Sequence, residues 1–137
     1  MATIPEQYRY LTDAPLFAHL ATVRPDGSVQ SNPMWFKVVG DEVHFTHTRT
    51  RQKFKNLQAN PTMSLSITDP AAPYLYVELR GHLAGVVDDP TGAYYVELQN
   101  HYGNPSEQAP PDAAERVILR MAIDKVSGRV ATPKHLE

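Results

Sequence analysis

Residues 17–46 read FAHLATVRPDGSVQSNPMWFKVVGDEVHFT, three β-like runs separated by two turns. Phe17–Val23 is the first run. Arg24-Pro25-Asp26-Gly27 then places a proline at the second turn position with Asp-Gly after it, which presets φ and admits a left-handed residue. Ser28–Val39 returns as a second strand, Gly40-Asp41 turns it, and Glu42–Thr46 makes a third. Consecutive strands joined this tightly pair antiparallel, so the stretch reads as a meander that opens an antiparallel barrel.

Downstream of it the periodicity switches. Arg49–Asn60 has no alternation, carries Phe54 and Leu57 on one helical face, and stops at Asn60-Pro61, as helices tend to before proline. Met63–Thr68 alternates again, with Met63, Leu65 and Ile67 against Ser64, Ser66 and Thr68. Tyr74–Val87 continues that pattern: Leu75, Val77, Leu79, Leu83 and Val87 face one way, and Tyr76, Glu78, Arg80 and His82 the other. Gly81 and Gly85 inside this run suit bends at a barrel corner. Asp89-Pro90 opens a helix through about Tyr102, Gly103–Asp112 is a proline-bearing loop, a brief helix starts at Asp112 or Ala113, and Val117–Val130 is the last strand. Upstream, Thr3-Ile4-Pro5-Glu6 fits a capping box for a helix reaching about Leu11. The expected fold is mainly β (β+α): a six-stranded antiparallel barrel or half-open barrel with short helices, in one domain over residues 1–137.

Composition narrows the function classes. The 137 residues hold no cysteine, which removes a disulfide framework, iron–sulfur clusters and thiolate zinc sites. No run approaches the ~20 apolar residues of a membrane span, and the polar start is no signal peptide, so a cytoplasmic location is expected. Net charge is only −2, but its distribution is uneven. Val43 to Thr68 contains no acidic residue, while Arg49, Arg51, Lys53 and Lys55 all fall there. Such a local field suits an anionic ligand; a solvated helix face is the plain alternative.

Thr46-His47-Thr48-Arg49-Thr50-Arg51-Gln52-Lys53 follows a strand and opens a helix, where unpaired backbone N–H groups and the helix dipole favour an anion. Hydroxyls and basic side chains complete a phosphate cradle, without the glycines of a P-loop or a dinucleotide fingerprint. Asn32-Pro33-Met34-Trp35-Phe36 puts bulky groups on both faces of the neighbouring strand: one face is core, and the other either stacks a flat ring or packs in the barrel or a dimer interface. Tyr74 and Tyr76 are further stacking candidates, whereas Tyr94, Tyr95 and Tyr102 read as packing residues on a helix. The six histidines show no metal-ligand spacing, and no nucleophile or acid–base pair stands out. Chemistry carried by a cofactor is the natural reading, with no metal site and no catalytic side chain assigned. A chain this small readily completes a ligand site at a subunit interface.

The sequence resembles the split-barrel flavin-binding superfamily that includes pyridoxamine phosphate oxidase. The matching pieces are Phe17–Val23 with Pro25-Asp26-Gly27-Ser28, Ser31–Phe36, Val43–Thr46 followed by Arg51–Leu57 and Asn60-Pro61, and Glu78-Leu79-Arg80-Gly81; together they span about half the chain. The resemblance implies a homodimer with two cofactor sites at the interface. Flavin-phosphate oxidases carry an adjacent Arg-Lys pair at the helix start; here Arg51 and Lys53 are separated by Gln52, as in the branch of reductases that use the deazaflavin coenzyme F420. The implied cofactor-contacting set is Asn32, Met34, Trp35, Phe36, Thr46, Thr48, Thr50, Arg51, Lys53, Tyr74 and Tyr76. Within it Arg51 and Lys53 meet phosphate beside the threonines, Met34, Trp35 and Phe36 run along the ring, and the two tyrosines approach from the partner subunit. The expected reaction is hydride transfer from reduced F420 to an activated C=C or quinone-like small molecule. An FMN-binding oxidoreductase is the first alternative. A non-enzymatic split barrel binding haem through His47, or an OB-like nucleic-acid module, are the others. The short tail and the lack of a pyridoxal-phosphate grip speak against the vitamin oxidase reaction.

Overall fold

A computed structural model describes residues 2–131. A 3-10 turn at Glu6–Tyr8 leads into α1 (Arg9–Thr12), followed by β1 (Ala18–Val23), β2 (Val29–Met34), β3 (Lys37–Val39) and β4 (Glu42–Thr48). Then come α2 (Gln52–Ala59), β5 (Thr62–Asp69), β6 (Ala72–Asp88), α3 (Ala93–His101), a second 3-10 turn at Ala113–Glu115, and β7 (Arg116–Arg129). All pairings are antiparallel and join the strands in the order β2-β1-β5-β6-β7-β4-β3. Among the described residues no helix is long and apolar enough to cross a membrane.

The expected antiparallel, mainly β architecture with short helices is present, with seven strands among the described residues rather than six. The single strand read over Ser28–Val39 is interrupted at Trp35-Phe36. Its first half pairs with β1 and its second half with β4, at opposite ends of the strand order. This interruption makes the barrel. Three Cα steps from Met34 to Lys37 span at most about 11 Å, so the two edges of the sheet must curl round to within that distance of each other. The core sits inside the curl, where Leu20, Phe36, Val43, Phe45, Leu65, Ile67, Val77, Leu79, Leu119, Met121 and Ile123 are all buried.

Three smaller differences have local causes. The capping box does not form: Pro5 is extended at the N-cap (φ −59°, ψ 143°) and no side chain caps the turn, so the helix begins after the position the box requires. The helix read from Arg49 begins at Gln52, because Arg51 is itself extended as the N-cap. Val87 faces out where alternation points it inward. The register shift at Arg80/Gly81 leaves its extra residue on β7, but the one at Leu83/Gly85 leaves Ala84 unpaired on β6 and changes that strand's parity, so Val86 takes the core side instead. Gly81 is required at the first shift, since a Cβ there would lie 1.9 Å from the Ala122 carbonyl oxygen.

Helix α2 is fixed to the barrel by amides. Fully buried Asn56 donates to Thr22 Oγ1 (3.0 Å) and Gln30 Oε1 (3.1 Å) and accepts from Gln52 Nε2 (2.8 Å). Gln30 donates in turn to Asn32 Oδ1 at 3.0 Å. The network therefore sets the start of α2 against β2, at the edge that the barrel closure brings up to β4.

Candidate functional site

Two adjoining hollows of about 300 and 510 Å³ open where β2, the end of β4, the start of α2 and the start of β7 meet; both are lined by Pro33, His47 and Arg51. One lobe adds the polar side chains Gln30, Asn32, Gln52 and Lys53. The other adds Phe17, Met34, Trp35, Thr46, Tyr95 and Arg116. Together they form one cleft with a basic end and an aromatic end.

At the basic end, Arg51 and Lys53 have no ion-pair partner among the described residues. Arg51 precedes α2, whose first turn has no acidic residue and no side-chain cap, so its N–H groups add positive potential. Lys53 is only 8% exposed, and burial followed by the nearby Arg51 lowers its pKa. His47 is 2% exposed, its Nε2 has no hydrogen-bond partner, and burial, Lys53, Arg51 and Arg116 push its pKa down to about 4. Three cations around a buried, unpartnered ring nitrogen are complementary to an anion and to little else. Arg116 differs in being satisfied: it donates to Asp112 Oδ1 at 3.0 Å and Oδ2 at 3.4 Å, reaches Thr46 Oγ1 at 3.5 Å, and lies 4.7 Å over the Tyr95 ring.

The aromatic end is built from distant elements and is internally satisfied. Trp35, at the strand interruption, stacks on Tyr102 (5.4 Å between centroids, 21° between planes) and tilts against Tyr95 at 5.8 Å. Tyr102 also meets Phe17 at 5.9 Å. Its hydroxyl accepts the Phe36 N–H at 3.0 Å and donates to the Leu16 carbonyl at 2.6 Å. Burial pushes this phenol up to about 12, which keeps it a donor at neutral pH. One side chain thus ties β1's approach, the β2–β3 interruption and the end of α3 into a single wall.

Of the side chains expected from sequence, Asn32, Met34, Trp35, Thr46, Arg51 and Lys53 line the cleft. Phe36 does not: it follows Trp35 with the opposite facing and is 1% exposed in the core. Thr48 is buried against Thr50 (3.2 Å between hydroxyls), and neither is part of the lining. Tyr74 and Tyr76 stand exposed on β6, outside the cleft of their own chain. Arg49 turns away to pair with Asp88 across the ring of Phe54. The sequence reading missed Phe17, Gln30, Pro33, Gln52, Tyr95 and Arg116 as cleft residues, and weighed His47 for haem and for metal but named it in no anion contact. The spacing of Asp112 and Arg116 could have suggested their ion pair, but nothing local placed it against Thr46.

Comparison with known proteins agrees with this architecture. Residues 4–129 match the family model described as pyridoxamine 5'-phosphate oxidase. The chain belongs to the pyridoxamine 5'-phosphate oxidase family. As a member it is an oxidoreductase of that general kind. A solved structure named F420 reductase is 47% identical over 90% of this chain and 98% of its own, with a TM-score of 0.87. A conserved hypothetical protein of Mycobacterium tuberculosis shares the fold at 20% identity (TM-score 0.73; 94% and 86% covered). So does HupZ of group A Streptococcus at 17% (TM-score 0.66; 94% and 99% covered). None of the curated proteins matches the chain.

Proposed function

We propose that this family member is a reductase that uses reduced coenzyme F420 to deliver hydride to an activated C=C or quinone-like small molecule. The observation that carries the reading is the polarity of the cleft. An acid-free basic end with an orphaned histidine nitrogen adjoins a wall of Trp35, Tyr95 and Phe17, which suits a long ligand with an anion at one end and a flat ring at the other. The kinship with the F420 reductase, at 47% identity, supports the deazaflavin over FMN, as does the Gln52 spacer between Arg51 and Lys53.

On this reading Arg51, Lys53 and the first turn of α2 hold the anionic end, with Asn32 and Thr46 beside them. Trp35 and Met34 set the plane of the ring. When bound, the reduced deazaflavin supplies a hydride. The protein's own work is to orient acceptor and ring and to exclude water, and no side chain is assigned as a catalytic acid or base. Tyr74 (68% exposed) and Tyr76 reach a cofactor only across a subunit boundary, so the reading includes a homodimer of single-domain chains with sites at the interface.

Titration of oxidised F420 and of FMN into the wild-type protein, Arg51→Ala and Lys53→Ala tests it. F420 should bind more tightly than FMN, and each substitution should weaken it by about 10–100-fold. Preference for FMN would move the protein to the flavin oxidoreductases. Affinity unchanged by both substitutions would remove the anion from this cleft.

A further inference from the structure

The F420 reading leaves one group of the cleft without a role. His47 lies on the floor shared by both lobes, 2% exposed, with Nε2 unpartnered. Native structures seldom leave a buried polar atom unpaired, and this one belongs to a ring that lines both lobes of the cleft. The charged groups facing it come from two sides: Arg51 and Lys53 at the start of α2, and Arg116 from β7. Asp112, the carboxylate paired with Arg116, has both oxygens engaged by that guanidinium. Its neighbours from β2 (Gln30, Asn32 and Pro33) and from α3 (Tyr95) carry no charge.

We propose that the His47 imidazole donates a hydrogen bond to the ligand's anionic group, and that it takes up a proton from solvent as the anion enters, so that ligand binding in this cleft is proton-coupled. In the free protein burial, and after it three cations, hold the ring neutral, with its pKa well below the ordinary 6.5. An incoming phosphate or carboxylate replaces a surplus of positive charge by its opposite and offers the imidazolium a charge-assisted hydrogen bond. The proton balance is simple: one proton moves from water to the ring, and no bond of the ligand changes. A ligand that draws a proton with it binds more tightly as pH falls, by up to about tenfold per pH unit between the free and bound ring pKa values. The inference rests on the reading that an anionic cofactor occupies this cleft, but not on which cofactor it is.

The test is calorimetric titration of F420 and FMN into wild type and His47→Gln, in two buffers of different ionisation heat near pH 7.5, 6.5 and 5.5, with the His47 ring Cε1–H followed by NMR. Wild type should take up a substantial fraction of a proton near pH 6.5 and gain several-fold in affinity toward pH 5.5. His47→Gln keeps a donor but cannot titrate, so its affinity should be nearly flat with pH. The wild-type His47 resonance should titrate below pH ~5 when free and move above pH ~6 when ligand is bound. Equal proton uptake in both proteins, or a ring titration that ligand does not move, overturns the proposal even where F420 binds tightly. If neither cofactor binds, the F420 reading fails separately and millimolar pyrophosphate becomes the probe. A raised His47 titration then supports the proton-coupled anion site, and an unmoved one overturns it.

Discussion

The two ends of the cleft are stabilised in opposite ways. The basic end is an unresolved charge problem: Arg51, buried Lys53 and buried His47 face one another with no acid among them, and Lys53 and His47 are each harder to charge in the free protein than in water. The aromatic end is already resolved. Trp35, Tyr102, Tyr95 and Phe17 satisfy one another, and the Tyr102 hydroxyl uses both its donor and its acceptor capacity on backbone groups. The lesson is a division of labour: the first end stores affinity at some cost in stability, and the second supplies stability and shape with little affinity of its own.

Acid should strain the basic end most. His47 falls from 6.5 unfolded to about 4 folded, so below 6.5 the unfolded chain binds the extra proton and folding loses stability progressively until pH reaches 4. The full loss is on the order of 3 kcal/mol. Urea unfolding at neutral pH and near pH ~4.5 should show this slope in wild type and a much shallower one in His47→Gln. A slope that the substitution leaves intact would mean the ring nitrogen is not desolvated.

Removing a cation separates affinity from stability. Lys53→Met should cost about 1.5–3 kcal/mol of F420 binding while leaving the ligand-free protein as stable as before or more so, because a desolvated charge beside Arg51 disappears and the stem is retained in shape. Thermal unfolding beside a binding titration reads both. A large fall in ligand-free stability with affinity intact would reverse the roles assigned to the two ends.

These ends also differed in how legible they were. The basic end lies largely within residues 46–53, and a short acid-free segment between a strand and a helix announces itself locally. Even there, the local pattern alone did not sort Arg49 from Arg51; the family resemblance did. The first turns to Asp88 and the second lines the cleft. The aromatic end depends on contacts such as Leu16 with Tyr102, 86 positions apart, which no periodicity reports. The strands were readable from alternation wherever the ladder is regular, as in β5. Alternation failed at Val87, where the extra residue Ala84 changes the parity of β6, and at Trp35-Phe36, where the strand changes partners from one sheet edge to the other.

Tyr102→Phe should have the converse effect to Lys53→Met. It leaves the Phe36 N–H and the Leu16 carbonyl without their shared partner and removes no charge. The expected loss is about 1–2 kcal/mol of folding stability, with F420 affinity within about threefold of wild type. Chemical denaturation and the same titration decide it; an affinity loss larger than the stability loss would place the anion's grip partly at the aromatic end.

The smallest effect should come from charges that share a strand face with the cleft but have found their partners. Glu42 and His44 follow Thr46 back along β4, yet neither lines the cleft. Glu42 accepts from Arg120 at 3.0 and 2.8 Å and meets His44 at 2.9 Å. These hydrogen bonds, Arg120's first, hold the carboxyl down at about 2, so its contribution is present above pH 4.5 and lost as pH falls toward 2. The pair is partly open to solvent and screened by it, so Glu42→Gln should cost only about 0.5–1 kcal/mol near neutral pH. It should leave F420 affinity, and the pH slope of that affinity, unchanged. Double-variant measurement with His47→Gln sharpens the contrast: their effects on acid stability should add, because Glu42 is not among the groups that lower the His47 pKa. Non-additivity would show that the charge field of the cleft extends down β4, and that its basic end is larger than the three cations around His47.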